Sequence, residues 1–419
     1  MPAAPAHTVY PDTLSFLGRG YALWNPSPTT DIRNNMPMHP KALELGDVGY
    51  IFEGSFHRLF NVHLPADHPD QGRYLPENFD TLTRSGYPIH ESDIRHQVFS
   101  SSGVQAVGVG AEVTIPMLGG GGMSFKSSCD KAALLVLPQD AKHERIQTTE
   151  PYETYILTHV RSWEKRTREL GLKIRAQDFM LVTGRTMTKS WANAAFVNVS
   201  FEAEAKLQVE LSTSLDAACR IEWRNTAGVQ VNWGPSPGRP ASDRNEPSTS
   251  DSPLNTVTEN NQCIFLHRIR VKPSRKWLGL RLVAAAETQD FEGDDEDDED
   301  RAEQACSELI VEPDHEEYSD YLDSILDYIL KNATDVDYAV ARDDDLLPYL
   351  DEIKQGVDVE TLVERQQPVI FMDLNPESGL AFGRMQHDLV EKGAIHTLGD
   401  TNEKQNELRK MEITASTSE

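Results

Sequence analysis

AFVNVSFEAEAKLQVELSTSLDAACRIEW, residues 195–223, decides how this chain is read. Its odd positions carry Val197, Val199, Phe201, Ala203, Ala205, Leu207, Val209, Leu211, Leu215, Cys219, Ile221 and Trp223, and its even positions are mostly Asn, Ser, Glu, Lys, Gln and Arg. Side chains alternate between two faces only on an extended backbone, so the pattern predicts two half-buried strands with a turn near Ser212–Ser214. At about 3.3 Å per residue, the run 195 to 211 exceeds the usual strand length. Asn225-Thr-Ala-Gly228 then turns into a further strand, Val229–Trp233, and Cys263–Val271 supplies the last one.

Outward from this stretch the same period recurs. Val107, Val109, Ala111, Val113, Ile115 and Met117 form one face of a strand, Gly119–Gly122 a hairpin tip, and Ala132–Leu137 an apolar run stopped by Pro138. The glycine run lacks the Gly-Lys-Ser/Thr that would make it a phosphate cradle. Gly46–Ile51 and Ser55–Phe60 read as a hairpin joined at Glu53-Gly54, and residues 61–93 as a surface loop. One helix is predicted over 151–170, with Pro151 in its first turn, Gly171 as its stop, and Tyr152, Tyr155, Ile156, Val160, Trp163 and Leu170 on one stripe. The expected fold is α+β: an N-terminal, twisted, mainly antiparallel sheet with long amphipathic strands and a packing helix, followed by a small acidic α/β region.

Charge divides the chain. The formal net charge is -27; residues 1–289 hold 30 acids and 30 bases, which leaves 37 of the 67 acids and 10 of the 40 bases in the last 130 residues. The run DFEGDDEDDEDRAE, 290–303, has too few apolar groups to offset its ordering entropy. We therefore expect a β-rich body at 1–289 with loops at 61–93 and 235–260, an acidic disordered linker at 290–305, an acidic α/β region at 306–399 and a polar tail at 400–419. In that α/β region Tyr318–Ile329 reads as an amphipathic helix, 336–341 as a strand, and Asp343-Asp-Asp345 as the cap of a second helix over 344–354.

Immediately before the acidic run, HRIRVKPSRK, 267–276, concentrates Arg268, Arg270, Lys272, Arg275 and Lys276. Such a strip next to an acidic segment is either a surface for acidic lipid or an acidic partner that the acids mask, or a solvated face that ignores them.

The search for reactive chemistry is negative. The chain has no GxSxG, HExxH, dinucleotide-binding glycine set or phosphate loop, and Cys129, Cys219, Cys263 and Cys306 lie far apart without metal-ligand spacing. No enzyme activity, catalytic residue, metal or cofactor is expected. The net charge argues against nucleic acid. With no secretion signal and no apolar span, the expected location is cytoplasmic.

GDVGYIFEGSFHRLFN (46–61), CDKAALLVLP (129–138), DFMLVTGRTMTKSWANAAF (178–196), NQCIFLHRIRVK (261–272) and SILDYILKNATDVDYAVARDDDLL (324–347) together resemble a family of uncharacterised fungal proteins. The order of long strands, helix, final strand, linker and C-terminal region also resembles the gasdermin layout. That resemblance implies a latent membrane-active or pore-forming protein, acting in fungal cell death and masked by its C-terminal region. Arg268, Arg270, Lys272, Arg275 and Lys276 would then touch acidic lipid, and the protein would form oligomers only when inserted in a membrane. The alternative is a non-enzymatic protein-interaction or signalling module.

Overall fold

Gln262–Pro273 is buried at its first ten positions without a break, as a strand covered on both faces must be. Around it, the computed structural model describes residues 5–29, 32–33, 36–37, 41–83, 88–107, 121–197, 203–211, 219–224, 229–235, 260–274 and 320–386. The described elements begin with α1 (Ala6–Leu14), β1 (Tyr21–Ala22), a two-strand ladder of β2 (Ile32–Arg33) and β3 (Met36–Pro37), and the hairpin β4 (Asp47–Phe52) and β5 (Ser55–Asn61). There follow β6 (Ile89–Ile94), β7 (Val98–Ser100), β8 (Val104–Val107), β9 (Gly121–Ser127), β10 (Lys131–Val136), β11 (Ala141–Ile146) and α2 (Glu150–Glu169). Next come β12 (Met180–Thr188), β13 (Trp191–Val197), β14 (Ala203–Leu211), β15 (Cys219–Arg224), β16 (Val229–Gly234) and β17 (Gln262–Pro273). The C-terminal elements are α3 (Tyr321–Asn332), β18 (Tyr338–Arg342), a 3-10 turn over Asp343–Tyr349 leading into α4 (Leu350–Lys354), α5 (Val359–Gln366), β19 (Ile370–Leu374) and β20 (Ala381–Met385). The fold is α+β.

Three sheets carry the architecture. A ten-stranded sheet runs β19-β20-β18-β17-β12-β11-β6, with β1 on β17 and the β4–β5 hairpin on β12. All its described pairings are antiparallel except β18 with β20. Two four-stranded sheets, β16-β13-β10-β7 and β15-β14-β9-β8, press together through Phe196, Leu134, Ala132, Phe125, Ala205 and Leu207. The far side of β10 and β13 receives α1, whose Tyr10 and Leu14 meet Leu135 and Trp191.

The decisive stretch is thus divided. Val197 ends β13 in one sheet and Ala203 begins β14 in the other, where a single long strand was expected. β13 is buried at all seven positions because it has a sheet on one face and α1 on the other. In β14 the alternation holds, with Ala205 and Leu207 buried and Lys206 exposed between them. β14 pairs with β9 from Ala203–Ser127 to Val209–Gly121, so the described parts of 121–130 and 203–224 share one sheet. Residues 108–120, with most of the strand expected over 107–117, lie outside the described residues.

Local signals account for the other elements. Glu53 and Gly54 have φ of 48° and 75°, the two positive values that a tight hairpin turn with the twist of its strands requires. In α2, Glu150 and Glu153 lie in the first turn, Arg166 and Arg168 in the last, and Gly171 follows at φ 82°, all as the helix dipole and C-terminal stop favour. Its buried stripe, Tyr152, Ile156, Val160 and Trp163, covers one face of the large sheet. The opposite face is covered by α3 and α5 through Leu322, Ile325, Leu326, Ile329, Leu362 and Val363.

The expected boundary after residue 289 does not divide the sheet. β18 pairs with β17 from Ile269–Arg342 to Pro273–Tyr338, and the described residues up to Met385 belong to one compact unit. Tyr338, Ala339, Val340 and Ala341 are buried, and an apolar strand of that kind has to join a sheet rather than stand in a small separate region. Instead of a helix capped by Asp343-Asp-Asp345, the chain there makes the 3-10 turn, with Pro348 inside it, before α4. No helix among the described residues is long and apolar enough to cross a membrane.

Candidate functional site

The cationic strip of the sequence lies on β17, and its period sets its geometry. Arg268, Arg270 and Lys272 alternate with Ile269 and Val271, so the apolar pair packs under α2 while the three cations face α3. Opposite them Asp320, Asp323 and Asp327 recur at helical spacing. Two residues of strand advance about 6.7 Å and one helical turn about 5.4 Å, close enough for long side chains to pair in order.

The pairing is direct. Arg268 meets Asp320 at 2.7 Å through Nη2 and 2.5 Å through Nη1. Arg270 reaches Asp320 at 3.0 Å and Asp323 at 3.1 Å, and Lys272 reaches Asp327 at 2.7 Å. From the turn after β18, Asp343 accepts from the Arg268 backbone N–H at 2.8 Å, from Arg268 Nε at 3.2 Å and from the Tyr321 hydroxyl at 2.6 Å. The rings of Tyr21 and Tyr321 both lie against the Arg268 guanidinium, at 4.1 and 5.2 Å from their ring centres.

Burial decides the electrostatics. Arg268 and Arg270 are 1% and 3% exposed, so neither reaches solvent in this fold, and the alternative of a solvated face does not hold for these two. β17 is central and covered on both faces, and the charges are tolerated there only because they are paired. Burial by itself would raise Asp320, but the Arg268 and Arg270 guanidinium groups outweigh it and hold the carboxyl below its usual value. At Asp343 burial prevails over Arg268 and pushes the carboxyl up. Burial disfavours the Arg268 charge, yet Asp320 and Asp343 more than restore it. Lys272 stands at the open end, where its partner Asp327 is 62% exposed. Arg275 and Lys276 lie outside the described residues.

Asp320, Asp323, Asp327, Asp343, Tyr21 and Tyr321 are the members that sequence reasoning missed. One signal was present: Asp320, Asp323 and Asp327 flank the apolar stripe of the predicted amphipathic helix. Asp343 could not be placed, because it read as a helix cap.

Two other polar groupings exist. His143 and His267 stack edge to face at 5.4 Å beside Arg145 and Asp344. Burial and the nearby Arg145 push His143 down to about 4 and His267 well below its usual value. A cavity lies between β4–β5 and the start of β17, lined among others by Leu43, Tyr50, His57, Arg58, Asp70 and Cys263. Burial pushes the Cys263 thiol up to about 12, which keeps it neutral and a poor nucleophile. Arg58 is tied to Asp47 at 2.6 Å and to the Asp70 carbonyl at 2.9 Å. Among the described residues no group of three or more His, Cys, Asp or Glu side chains could hold a metal ion.

No protein-family model, no curated protein and no solved structure matches the chain.

Proposed function

We propose that this chain is a latent membrane-active protein, gasdermin-like in its logic, whose cationic strand is masked by its own C-terminal part. The observation that carries the reading is that Arg268, Arg270 and Lys272 each pair with a carboxylate supplied from 320–343. Among the described residues the masking acids are those of α3 and the turn after β18; the run at 290–303 lies outside the described residues. α3 also buries six side chains, Tyr321, Leu322, Ile325, Leu326, Tyr328 and Ile329. At about 1.5–3 kcal/mol each, their removal is too costly to occur spontaneously, which is what latency requires. Acidic lipid headgroups would replace Asp320, Asp323 and Asp327 as partners for the strand.

The test is vesicle flotation of the full chain, intact and after cleavage at a protease site placed between residues 275 and 319. Cleaved protein should float with vesicles rich in acidic lipid and not with neutral ones, while intact protein stays in solution. Equal flotation of the two, or none for a cleaved and still folded chain, would overturn the proposal.

A further inference from the structure

β19 ends the large sheet and pairs, among the described residues, only with β20. Edge strands are usually guarded by lysine, proline or a bulge. β19 reads Ile370-Phe-Met-Asp-Leu374, with one charge, and Phe371, Met372 and Leu374 are 41%, 59% and 63% exposed. Its neighbour Val369 is 63% exposed. The Leu374 N–H is met by the Asp373 carboxylate at 2.8 Å instead of by a further strand. An apolar strand of this kind, exposed and open at its edge, is a template for another strand.

We infer that the occupant is β19 of a second copy of this chain, added antiparallel about a two-fold axis at Met372. The charge pattern selects this partner. In that register Ile370 lies opposite Leu374 of the second copy, Met372 opposite Met372, and Phe371 opposite Asp373. No charge faces its like. Across β20, Phe371 already pairs with Arg384, whose guanidinium lies 5.3 Å from the ring centre and also meets Glu153 at 2.8 Å and Glu150 at 3.5 Å. Directly opposed residues share a face of the sheet, so the second copy's Asp373 arrives on the same face as Arg384, on the far side of Phe371. Symmetry forms this row twice, and on the other face an apolar ladder of Ile370, Met372 and Leu374 closes. A formal charge of -27 on each chain opposes the approach, so association strengthens as salt screens it. The inference is independent of the membrane reading.

Sedimentation velocity of the full chain over a wide concentration range tests it. The weight-average mass should rise toward twice that of the chain, more readily at high salt, and Met372→Lys should abolish the rise. Phe52→Lys, at another exposed apolar position on β4 (45% exposed), should leave it unchanged. Register is read by oxidation in a Cys129→Ser, Cys219→Ser, Cys306→Ser background, which leaves only the buried Cys263: Met372→Cys should cross-link two copies and Phe371→Cys should not, because residue 371 faces 373. A chain that stays monomeric at every concentration overturns the inference. So does a dimer that survives Met372→Lys, or one in which Phe371→Cys cross-links and Met372→Cys does not.

Discussion

Arg268 and Asp320 form an ion pair, hydrogen-bonded at 2.7 Å with a second N···O contact at 2.5 Å, in which both side chains are fully buried. Asp320 is also the N-cap of α3, accepting from the Leu322 N–H at 3.0 Å. One carboxylate therefore starts the helix and neutralises the strand beneath it.

Asp320→Asn keeps the shape and removes the charge the two guanidinium groups share, leaving Arg268 with Asp343 alone and Arg270 with the partly exposed Asp323. Breaking one partner of a buried pair costs about 3–5 kcal/mol, and urea unfolding of the variant should show a loss of that order. Arg268→Met combined with Asp320→Leu should cost less than the sum of the two single changes, because the coupling between them is lost only once.

Lys272→Glu should behave differently. Its partner Asp327 is largely exposed, and exposed pairs contribute at most about 1 kcal/mol. Thermal unfolding should place this variant close to the parent, which makes it the clean probe for any role of the strip outside the fold.

The contribution of His143 and His267 to stability should fall in mild acid, against an opposite contribution from Asp12, which burial raises to about 7, and from Asp47 and Asp343, which burial also raises. His143 titrates near 4 in the fold against 6.5 for an unperturbed histidine, and His267 is lower still than its ordinary value. The folded chain keeps both neutral while the unfolded chain takes up protons, so the contribution of these two histidines is complete above about pH 6.5 and is lost as pH falls toward 4. At pH 5 the His143 contribution alone is about 2 kcal/mol. Asp320, held low, adds its own loss only at more acid pH, as its carboxyl protonates. Urea unfolding of the parent and of His143→Gln at pH 7.5, 6 and 5 checks this: between pH 7.5 and 5 the parent should lose about 2 kcal/mol relative to the variant.

Gly20 has φ of 85°, and a Cβ there would stand 2.3 Å from the Leu266 carbonyl oxygen. Gly20→Ala forces β1 away from β17 and should cost more than the roughly 1–3 kcal/mol of a strained backbone alone. A far smaller effect in chemical denaturation would contradict the close approach.

Much of the β structure was legible because it is local. The Glu53-Gly54 turn, the 205–207 alternation and the α2 stripe each follow from neighbours in sequence. What could not be read depends on distant partners. Val271 pairs with Val340 across a segment that includes the acidic run, so the C-terminal region looked separate although it completes the sheet. The cations of β17 looked like surface because period-two alternation does not say whether the polar face meets water or a helix. α1 was missed because it is nine residues long and carries Pro11. β19, a five-residue strand with one charge, has no alternation to announce it.

The most direct measurement of the central claim is dye release from vesicles of acidic lipid. It would compare the intact chain, the chain cleaved between residues 275 and 319, and the cleaved chain carrying Lys272→Glu. The account predicts release by the cleaved chain, little by the intact one, and a weakened response in the variant. A cleaved chain that remains folded and releases nothing, or an intact chain that releases as much, would contradict it.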